Sequence, residues 1–436
     1  MTPSAAPAVH IETYGCAFNM ADSEAMAGLL RREGYALADR PEDADLVILN
    51  TCTVKDRTFH HFRKRLDALR RRGPLVVAGC IPKVYARSEW LDGVALVGPD
   101  ALGGIVEVVA GVLDGAAPRA LDASEDAARP SRAECPTLRR HAHIEILPIA
   151  AGCLGACRFC QTRLARGRLR SFPPDVLIER ARRAVDEGVR ELWITAQDTG
   201  AYGRDTGGPT LPELLGRICA IEGDYRIRVG MTNPNWVAHN PDAWLEAWAH
   251  PRLFRFLHMP VQSGAERVLR AMGRSHGVEE FETVAAAFHE RFPDLGLMTD
   301  AIAGYPTETD EDFEATLALL ERVRPAAVNR SRFSARPHTP AARLDPLPVS
   351  VVKERSRRLN DTVRRLARAY HEARVGRTER VLTSETSLKG PTTLARNDAW
   401  RPVVLDGLWP TGVWLDAHYH AAADFHIKAQ GIRHKA

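Results

Sequence analysis

The 436-residue chain has few cysteines, little net charge and no long apolar run. A formal charge of +4 permits a nucleic-acid partner without requiring one, because a small basic excess is usually a solvated surface. No run of apolar residues is long enough to span a bilayer, and the start of the sequence lacks the features of a signal peptide. We therefore expect a cytoplasmic protein of two or three domains with no membrane partner. In a reducing cytosol, clustered thiols bind metal or react more often than they form disulfides.

Three of the eight cysteines fall within one short segment, "GCLGACRFC" at residues 152–160. Cys153, Cys157 and Cys160 have the spacing C-x3-C-x2-C, which lets three thiolates face one metal ion or cluster. A structural zinc site almost always uses four ligands, so the missing fourth ligand needs an explanation. A zinc site completed by His141 or His143 is one alternative.

A second set of three cysteines lies in the first block of the chain, residues 8–115. Apolar strands alternate there with helical patterns, which predicts a small, flavodoxin-like parallel α/β sheet. Cys16, Cys52 and Cys80 each follow a predicted strand. Because ligands bind at the carboxyl edge of such sheets, we expect the three to gather in space. The alternative is three unrelated buried cysteines, since free cysteine is often buried.

Residues 116–142 are polar, rich in alanine and proline, and predict a linker in which Cys135 is a surface thiol. Residues 143–346 contain six repeated β-α units, which predict a partial (β/α)6 barrel with its chemistry at the carboxyl-terminal rim. Cys219 lies in an apolar helix there and is expected in the core. The predicted rim carries polar or glycine positions after successive strands: Gln197, Asp198, Gln262, Ser263, Gly304 and Arg332.

The last part of the chain predicts a basic linking helix and a small barrel. The helix covers residues 347–376, and short strands with frequent turns follow over residues 377–434. That pattern is typical of an OB-like β-barrel, a common nucleic-acid platform. Arg396, Trp400 and Arg401 would supply basic and aromatic side chains, although a purely structural barrel is also open.

The C-x3-C-x2-C segment, with Phe159 before its last cysteine, resembles the motif of the radical S-adenosylmethionine (SAM) superfamily. The resemblance implies a [4Fe-4S] cluster on Cys153, Cys157 and Cys160 whose fourth iron binds SAM. Reduction would then cleave SAM to methionine and a 5′-deoxyadenosyl radical that abstracts a hydrogen atom. The vacant ligand position would be the active site.

The segments "ETYGCAFNMADSEAM", "NTCTVKDRT" and "VVAGCIPK" resemble the N-terminal domain of methylthiotransferases. With "CQTRLARGRLRS", "HMPVQSG" and "SRFSARPHTPAA", the chain is most similar to the archaeal and eukaryotic type that acts on N6-threonylcarbamoyladenosine beside the tRNA anticodon. The resemblance implies a second, auxiliary [4Fe-4S] cluster on Cys16, Cys52 and Cys80, and a C-terminal barrel of the type called TRAM. One SAM would methylate a sulfur held on the auxiliary cluster, and a second would initiate its insertion at C2 of the adenine.

The resemblance also implies ligands and partners. The six rim residues would contact SAM, and an electron donor such as flavodoxin or ferredoxin and a sulfur donor would be needed. From their residue types, the arginines that follow Cys160 and three residues of the barrel are candidate contacts for the anticodon loop of tRNA: Arg163, Arg166, Arg168, Arg170, Arg396, Trp400 and Arg401. A basic helical pattern offers further phosphate contacts: Arg63, Lys64, Arg65, Arg70, Arg71 and Arg72.

Two alternatives remain open from the sequence. The chain could methylthiolate another substrate, such as isopentenyladenosine in tRNA, an aspartate of a ribosomal protein or a peptide. It could also be a non-catalytic iron–sulfur protein that binds RNA. The lack of a fourth cysteine in both sets favours the enzyme, because a structural cluster is more often closed.

Overall fold

The computed structural model of the chain describes residues 6–53, 56–122, 132–387 and 390–432. These residues divide into two compact units. The first comprises the chain up to residue 154 together with residues 160–183 and 195–197, and the second comprises the remainder. In the described ranges, no helix combines the length and apolar character needed to cross a membrane.

The first unit contains a parallel six-stranded sheet in the order β2-β1-β3-β4-β5-β6. Alternate residues of the central strand β3 face two different apolar clusters, since Ile48 packs with helices α1 and α4 and Leu49 packs with α2. Every residue of β3 and β4 is buried, as expected for strands covered on both faces. The predicted N-terminal parallel sheet is therefore confirmed. Its elements are β1 (Ala8–Thr13), α1 (Ala17–Arg32), β2 (Ala36–Leu37), β3 (Leu46–Thr51), α2 (Asp56–Arg70), β4 (Leu75–Gly79), α3 (Cys80–Tyr85), β5 (Ala95–Val97), α4 (Ile105–Leu113) and β6 (Arg119–Ala120).

Both ends of the predicted linker, residues 116–142, contact the N-terminal domain. Residues 119–120 form the edge strand β6, which pairs with β5. Past the undescribed residues 123–131, the chain packs on α1, where the Leu138 amide donates to the Glu24 carbonyl at 2.9 Å. Cys135 is not a surface thiol, because it lies 5% exposed in the core beneath α1 and α4. Burial raises its pKa.

The rest of the first unit forms the start of the central domain. The short strands β8 and β9 pair antiparallel, and α5 lies between them in sequence. Glu145, which is 1% exposed, is neutralised by Arg180 at 2.7 Å and by Arg139. The elements are β7 (Ile144–Pro148), β8 (Ala150–Ala151), α5 (Thr162–Arg166), β9 (Arg170–Ser171) and α6 (Pro174–Asp186).

The second unit contains the later β-α repeats of the central domain. Strand β10 pairs in parallel with β11, and β12, β13 and β14 form a second parallel set. A parallel bridge between Ile227 and Leu253 connects β11 to the residues before β12. Cys219 ends α7 and is buried, as predicted. The elements are β10 (Glu191–Thr195), α7 (Leu211–Cys219), β11 (Arg226–Val229), α8 (Pro234–His239), α9 (Pro241–Ala249), β12 (Phe256–His258), α10 (Glu266–Met272), α11 (Val278–Arg291), β13 (Gly296–Ala303), α12 (Asp310–Val323) and β14 (Ala327–Arg332).

A long helix and a closed barrel complete the second unit, and the barrel confirms the predicted small C-terminal β-barrel. Helix α13 (Val349–Glu372) is basic, but its exposed arginines pair with neighbouring acids, for example Arg358 with Glu314. The barrel strands follow in the order β15-β16-β17-β19-β18. They are β15 (Thr378–Thr386), β16 (Thr392–Arg396), β17 (Pro402–Asp406), β18 (Trp414–Ala422) and β19 (Ile427–Ile432).

Candidate active site

The first cysteine trio, Cys16, Cys52 and Cys80, lies at one edge of the N-terminal sheet. The three residues follow β1, β3 and β4, which are neighbours in the sheet and run in parallel. The ends of parallel neighbours meet at the same edge. Directly before Cys16, a β-carbon placed on Gly15 would lie 2.9 Å from Cβ of Cys52. The sheet therefore brings these widely separated positions together.

Buried side chains tie the same edge together. Asn19 donates to the Thr51 carbonyl at 3.0 Å, and Asn50 donates to the Asn19 carbonyl at 2.7 Å. The Thr51 hydroxyl donates to the Ala78 carbonyl at 2.6 Å, and so links the residues that precede Cys52 and Cys80. Gly79 has φ +90°, and a β-carbon there would lie 2.5 Å from the Thr51 carbonyl oxygen. Only glycine fits this position without strain.

The second trio lies on one loop, and both ends of that loop are fixed. The Cys153 amide donates to the Gly167 carbonyl at 3.3 Å. Gly152 has φ +78°, and a β-carbon on it would lie 2.0 Å from the Arg168 carbonyl oxygen. At the other end, the Thr162 amide donates to Sγ of Cys160 at 3.4 Å. All three cysteines of the trio are partly exposed.

Cys157, the middle residue of this trio, contacts an arginine that the sequence analysis missed. Nη1 of Arg274 donates to Sγ of Cys157 at 3.2 Å, and Nη2 donates to Oδ1 of Asn233 at 2.6 Å. Arg274 follows the left-handed Gly273 at the end of α10. Nothing in the segment "AMGRSHG" distinguishes this arginine from others, because its partner lies 117 positions earlier.

The two trios are connected within the first unit by helices α3 and α5. Helix α3 begins at Cys80, and α5 begins two residues after Cys160. Nε2 of Gln161 donates to the Tyr85 hydroxyl at 3.3 Å, which joins the start of one helix to the end of the other. One cysteine of each trio thereby lies at or just before the start of a helix of this pair.

The donor chemistry fits iron–sulfur clusters better than a single metal ion. All eight cysteines are thiols that form no disulfide. Among the described residues, no group of three His, Cys, Asp or Glu side chains is placed to hold one metal ion. In a cubane each thiolate binds a different iron, so the ligands need not converge on a point. Two sets of three thiols therefore fit two clusters that each keep one open iron.

Two of the predicted SAM contacts, Gln197 and Asp198, differ in their surroundings. Oε1 of Gln197 is buried and has no hydrogen-bond partner among the described residues, so it is available to a bound ligand. The Asp198 carboxylate is 2% exposed and accepts from Nδ2 of Asn233 at 2.6 Å and Nε1 of Trp236 at 2.7 Å. Burial raises the pKa of Asp198, and these donors oppose the rise.

The other four predicted SAM contacts also differ in burial and in their neighbours. Gln262 has φ +79°, and its backbone bridges Asp300 and Ile302. Ser263 is fully buried against Thr316, 3.3 Å away. A β-carbon on Gly304 would lie 2.7 Å from the Val352 side chain, so the lack of a side chain here lets α13 pack closely. Arg332 is exposed at the end of β14.

The arginines after the second trio do not form one surface. Arg163 and Arg168 are exposed, and Arg170 pairs with Asp100 at 2.7 Å. Arg166, in contrast, is buried and does not lie at the exposed position expected of a substrate contact. Its guanidinium lies 2.8 Å from Asp22 of α1, which also pairs with Arg132.

The basic residues of α2 are likewise partly used inside the fold. Arg65 binds Glu12 of β1 bidentately, and Arg72 lies 2.9 Å from Glu42. Lys64 and Arg71 are exposed. The helix therefore keeps a smaller basic surface than its sequence indicates.

The predicted RNA contacts in the barrel have partners within the second unit. Nε1 of Trp400 donates to the buried Glu191 at 2.6 Å, and its ring lies between the guanidinium groups of Arg228 and Arg396. Arg401 is 8% exposed, and its Nε donates to Nε2 of His371 at 3.3 Å. Burial lowers the pKa of Arg401 to about 10. Trp400 and Arg401 therefore contact residues of the second unit outside the barrel, and Arg396 packs on the Trp400 ring.

Comparison with known proteins identifies two family matches. Residues 147–320 match the model of the radical SAM superfamily, and residues 8–93 match the uncharacterized protein family UPF0004. The chain is 43% identical over 400 residues to the probable threonylcarbamoyladenosine tRNA methylthiotransferase of Archaeoglobus fulgidus, covering 92% of this chain and 93% of that protein. It is 37% identical to the threonylcarbamoyladenosine tRNA methylthiotransferase of Homo sapiens, covering 91% of this chain and 69% of the human one.

The fold is also found among solved structures. The radical SAM methyltransferase TsrM of Kitasatospora setae, solved with cobalamin and a [4Fe-4S] cluster bound, superimposes with a TM-score of 0.55. The match covers 77% of this chain and 74% of TsrM at 14% sequence identity. At that identity the similarity concerns the fold alone.

Proposed function

The chain belongs to the family of threonylcarbamoyladenosine tRNA methylthiotransferases, and from this premise we propose how its two cysteine trios divide the reaction. The protein is a radical SAM transferase that converts N6-threonylcarbamoyladenosine in tRNA to its 2-methylthio derivative. Cys153, Cys157 and Cys160 hold the [4Fe-4S] cluster that binds SAM, and Cys16, Cys52 and Cys80 hold the auxiliary [4Fe-4S] cluster. When bound, the two clusters and two SAM molecules supply the C–H activation, the methyl group and the sulfur insertion.

The chain's own residues bind and orient the reactants. Gln197 offers its unpartnered amide oxygen to the amino group of SAM. Arg332, exposed at the carboxyl end of β14, contributes a charged donor at the rim where such barrels carry out their chemistry. Arg163 and Arg168, both exposed beside the second trio, bind phosphates of the anticodon loop.

The packing of α3 against α5 is the observation that carries this proposal. Cys80 begins one helix and Cys160 precedes the other, and the bond from Gln161 to Tyr85 fixes the two helices together. Sulfur insertion requires the carbon radical and the sulfur to meet within one encounter. A shared support for one ligand of each trio satisfies that requirement.

The reaction needs two further partners and a suitable compartment. An electron donor such as flavodoxin or ferredoxin supplies the electron that starts SAM cleavage, and a sulfur donor replaces the inserted sulfur. Partly exposed thiol ligands survive in a reducing environment, so we place the protein in the cytoplasm.

Anaerobic nucleoside mass analysis tests the function. Cluster-loaded protein is incubated with SAM, sulfide, reductant and tRNA that carries threonylcarbamoyladenosine, and the tRNA is then digested. We expect the methylthio nucleoside with the wild type and with Cys219→Ala, a core cysteine outside both trios, and none with Cys157→Ala. Formation of 5′-deoxyadenosine without a modified nucleoside would mean another substrate, with isopentenyladenosine tRNA and a ribosomal-protein peptide tested next. If neither product forms with loaded protein, the non-catalytic RNA-binding alternative replaces this proposal.

A further inference from the structure

Arg274 is placed to act on one cysteine of the second trio. Its Nη1 lies 3.2 Å from Sγ of Cys157, while its Nη2 donates to the Pro260 carbonyl at 2.9 Å and to Oδ1 of Asn233 at 2.6 Å. The hydrogen bonds of Nη2 thus fix the guanidinium group, while Nη1 points at the sulfur of Cys157. Flexible surface arginines do not have such fixation.

A buried carboxylate continues this arrangement. The amide oxygen of Asn233 accepts a hydrogen bond from Arg274, and its amide nitrogen donates one to Asp198 at 2.6 Å. The Asp198 carboxylate also accepts from the Asn233 backbone amide at 3.2 Å and from Trp236 at 2.7 Å. Asn233 therefore has only one amide orientation that satisfies both neighbours. A chain of hydrogen bonds therefore runs from the buried carboxylate of Asp198 through Asn233 and Arg274 to the thiol of Cys157.

The chemistry of cluster ligands gives this contact a role. Reduction of a cluster adds one negative charge, and hydrogen bonds to the ligand sulfurs stabilise the reduced form and raise the reduction potential. Groups that orient a metal ligand commonly change metal affinity by about 10–100-fold when removed. A fixed cation beside one thiolate would both stabilise the reduced cluster and orient the ligand.

We propose that Arg274 is a positioning residue that sets the reduction potential of the cluster held by Cys153, Cys157 and Cys160. Asn233 and Asp198 hold Arg274 in place, so Asp198 acts on the cluster through Asn233 and Arg274. The inference rests on the proposed function, because it requires a cluster on the second trio.

The test measures the midpoint potential of this cluster alone. In full-length protein, Cys16, Cys52 and Cys80 are replaced by alanine so that only the cluster on the second trio is loaded. Arg274→Met is then compared with Arg274→Lys and with Arg270→Met, an exposed arginine on α10 that serves as the matched control. Dithionite titration followed by electron paramagnetic resonance gives the potential, and iron analysis gives the loading.

We expect Arg274→Met to lower the midpoint potential relative to Arg270→Met, with Arg274→Lys between the two. Equal potentials and spectra in Arg274→Met and Arg270→Met would overturn the inference. If Arg274→Met does not load iron, the free energy of unfolding of the apo-proteins is compared to decide between a role at the ligand and a structural role. Unchanged unfolding supports a role at the ligand, and destabilisation that Arg274→Lys does not rescue overturns it. Failure of the proposed function is distinct, because it would appear as the lack of modified nucleoside with wild-type protein.

Discussion

The two cysteine trios are built in different ways. Cys153, Cys157 and Cys160 lie within eight positions of one loop, so their proximity is local. Cys16, Cys52 and Cys80 span 65 positions by their numbering and come together only when β1, β3 and β4 pair in the sheet. The arrangement of Cys153, Cys157 and Cys160 depends on their spacing in the sequence, and that of Cys16, Cys52 and Cys80 depends on the folding of a whole domain. The trios are therefore expected to fail independently, through different substitutions.

Removal of a ligand from each trio gives the largest expected effect. We expect Cys157→Ala and Cys52→Ala both to lose the methylthio product completely and each to retain about four of eight iron atoms per chain. Only Cys157→Ala should also lose 5′-deoxyadenosine, because Cys52 supports the sulfur step. Iron analysis and chromatography of the reaction products measure both quantities. Loss of 5′-deoxyadenosine in Cys52→Ala would show that the trios do not act separately.

The arginines after the second trio sharpen the comparison between local and long-range roles. Arg166→Gln removes one of the ion pairs of the buried Asp22. We therefore expect the free energy of unfolding to fall by about 3 kcal/mol. Arg163→Gln, at an exposed position of the same helix, should leave stability unchanged. It should instead reduce the salt dependence of tRNA binding by about one counterion.

Urea unfolding and tRNA binding over a range of salt concentrations distinguish these outcomes. If Arg166→Gln weakened tRNA binding and left stability intact, Arg166 would act as a substrate contact and not as a buried partner of Asp22.

A glycine pair tests whether the first trio depends on the sheet edge. Gly79→Ala combines φ +90° with a β-carbon 2.5 Å from Thr51, and we expect it to destabilise the protein by about 2 kcal/mol and to lose the auxiliary iron. Gly34→Ala has a similar φ of +89° but open space around the new carbon. It should retain all iron, as measured by iron analysis beside urea unfolding. Equal iron loss in both variants would contradict the proposed dependence on close packing.

The smallest expected effect is a pH dependence in the domain that gathers the first trio. Burial raises the pKa of Glu24 on α1 from its ordinary value of 4.5 to about 7. Between these values the folded protein binds more protons than the unfolded chain, so the free energy of unfolding decreases as pH rises through the window. Glu24→Gln should remove about 1–2 kcal/mol of this decrease.

Urea unfolding of the apo-protein between pH 4.5 and pH 8 measures this slope. Glu33→Gln, just after the same helix and exposed, is the control and should keep the wild-type slope. An unchanged slope in Glu24→Gln would show that Glu24 does not titrate in this range.

The sequence predicts features that are encoded by local pattern. The C-x3-C-x2-C spacing, the strands before Cys16, Cys52 and Cys80, and the short turns of the barrel are all periodic or closely spaced. Both the α/β fold class and the family follow from them. The individual ligand roles stay predictions that the iron analyses above can test.

Long-range pairs explain what the sequence could not predict. Arg166 looks like its exposed neighbour Arg163, but it meets Asp22 across 144 positions of chain. Trp400 meets Glu191 across 209 positions. Strand β6 has two residues and is recognisable only by its pairing with β5. In each case the decisive information is the partner, which no local pattern carries.

The buried pair of Asp22 and Arg166 determines where such a chain can be recombined with a relative. A crossover near residue 142, between two apparent modules, would take Asp22 from one parent and Arg166 from the other. A mismatch would then take one of its two buried arginine partners from Asp22, or leave Arg166 buried without its carboxylate. A crossover beyond residue 183 keeps the pair, the auxiliary trio and helix α5 in one parent. Exchange between relatives is therefore expected to respect the compact unit, and the inherited segment extends past the second trio.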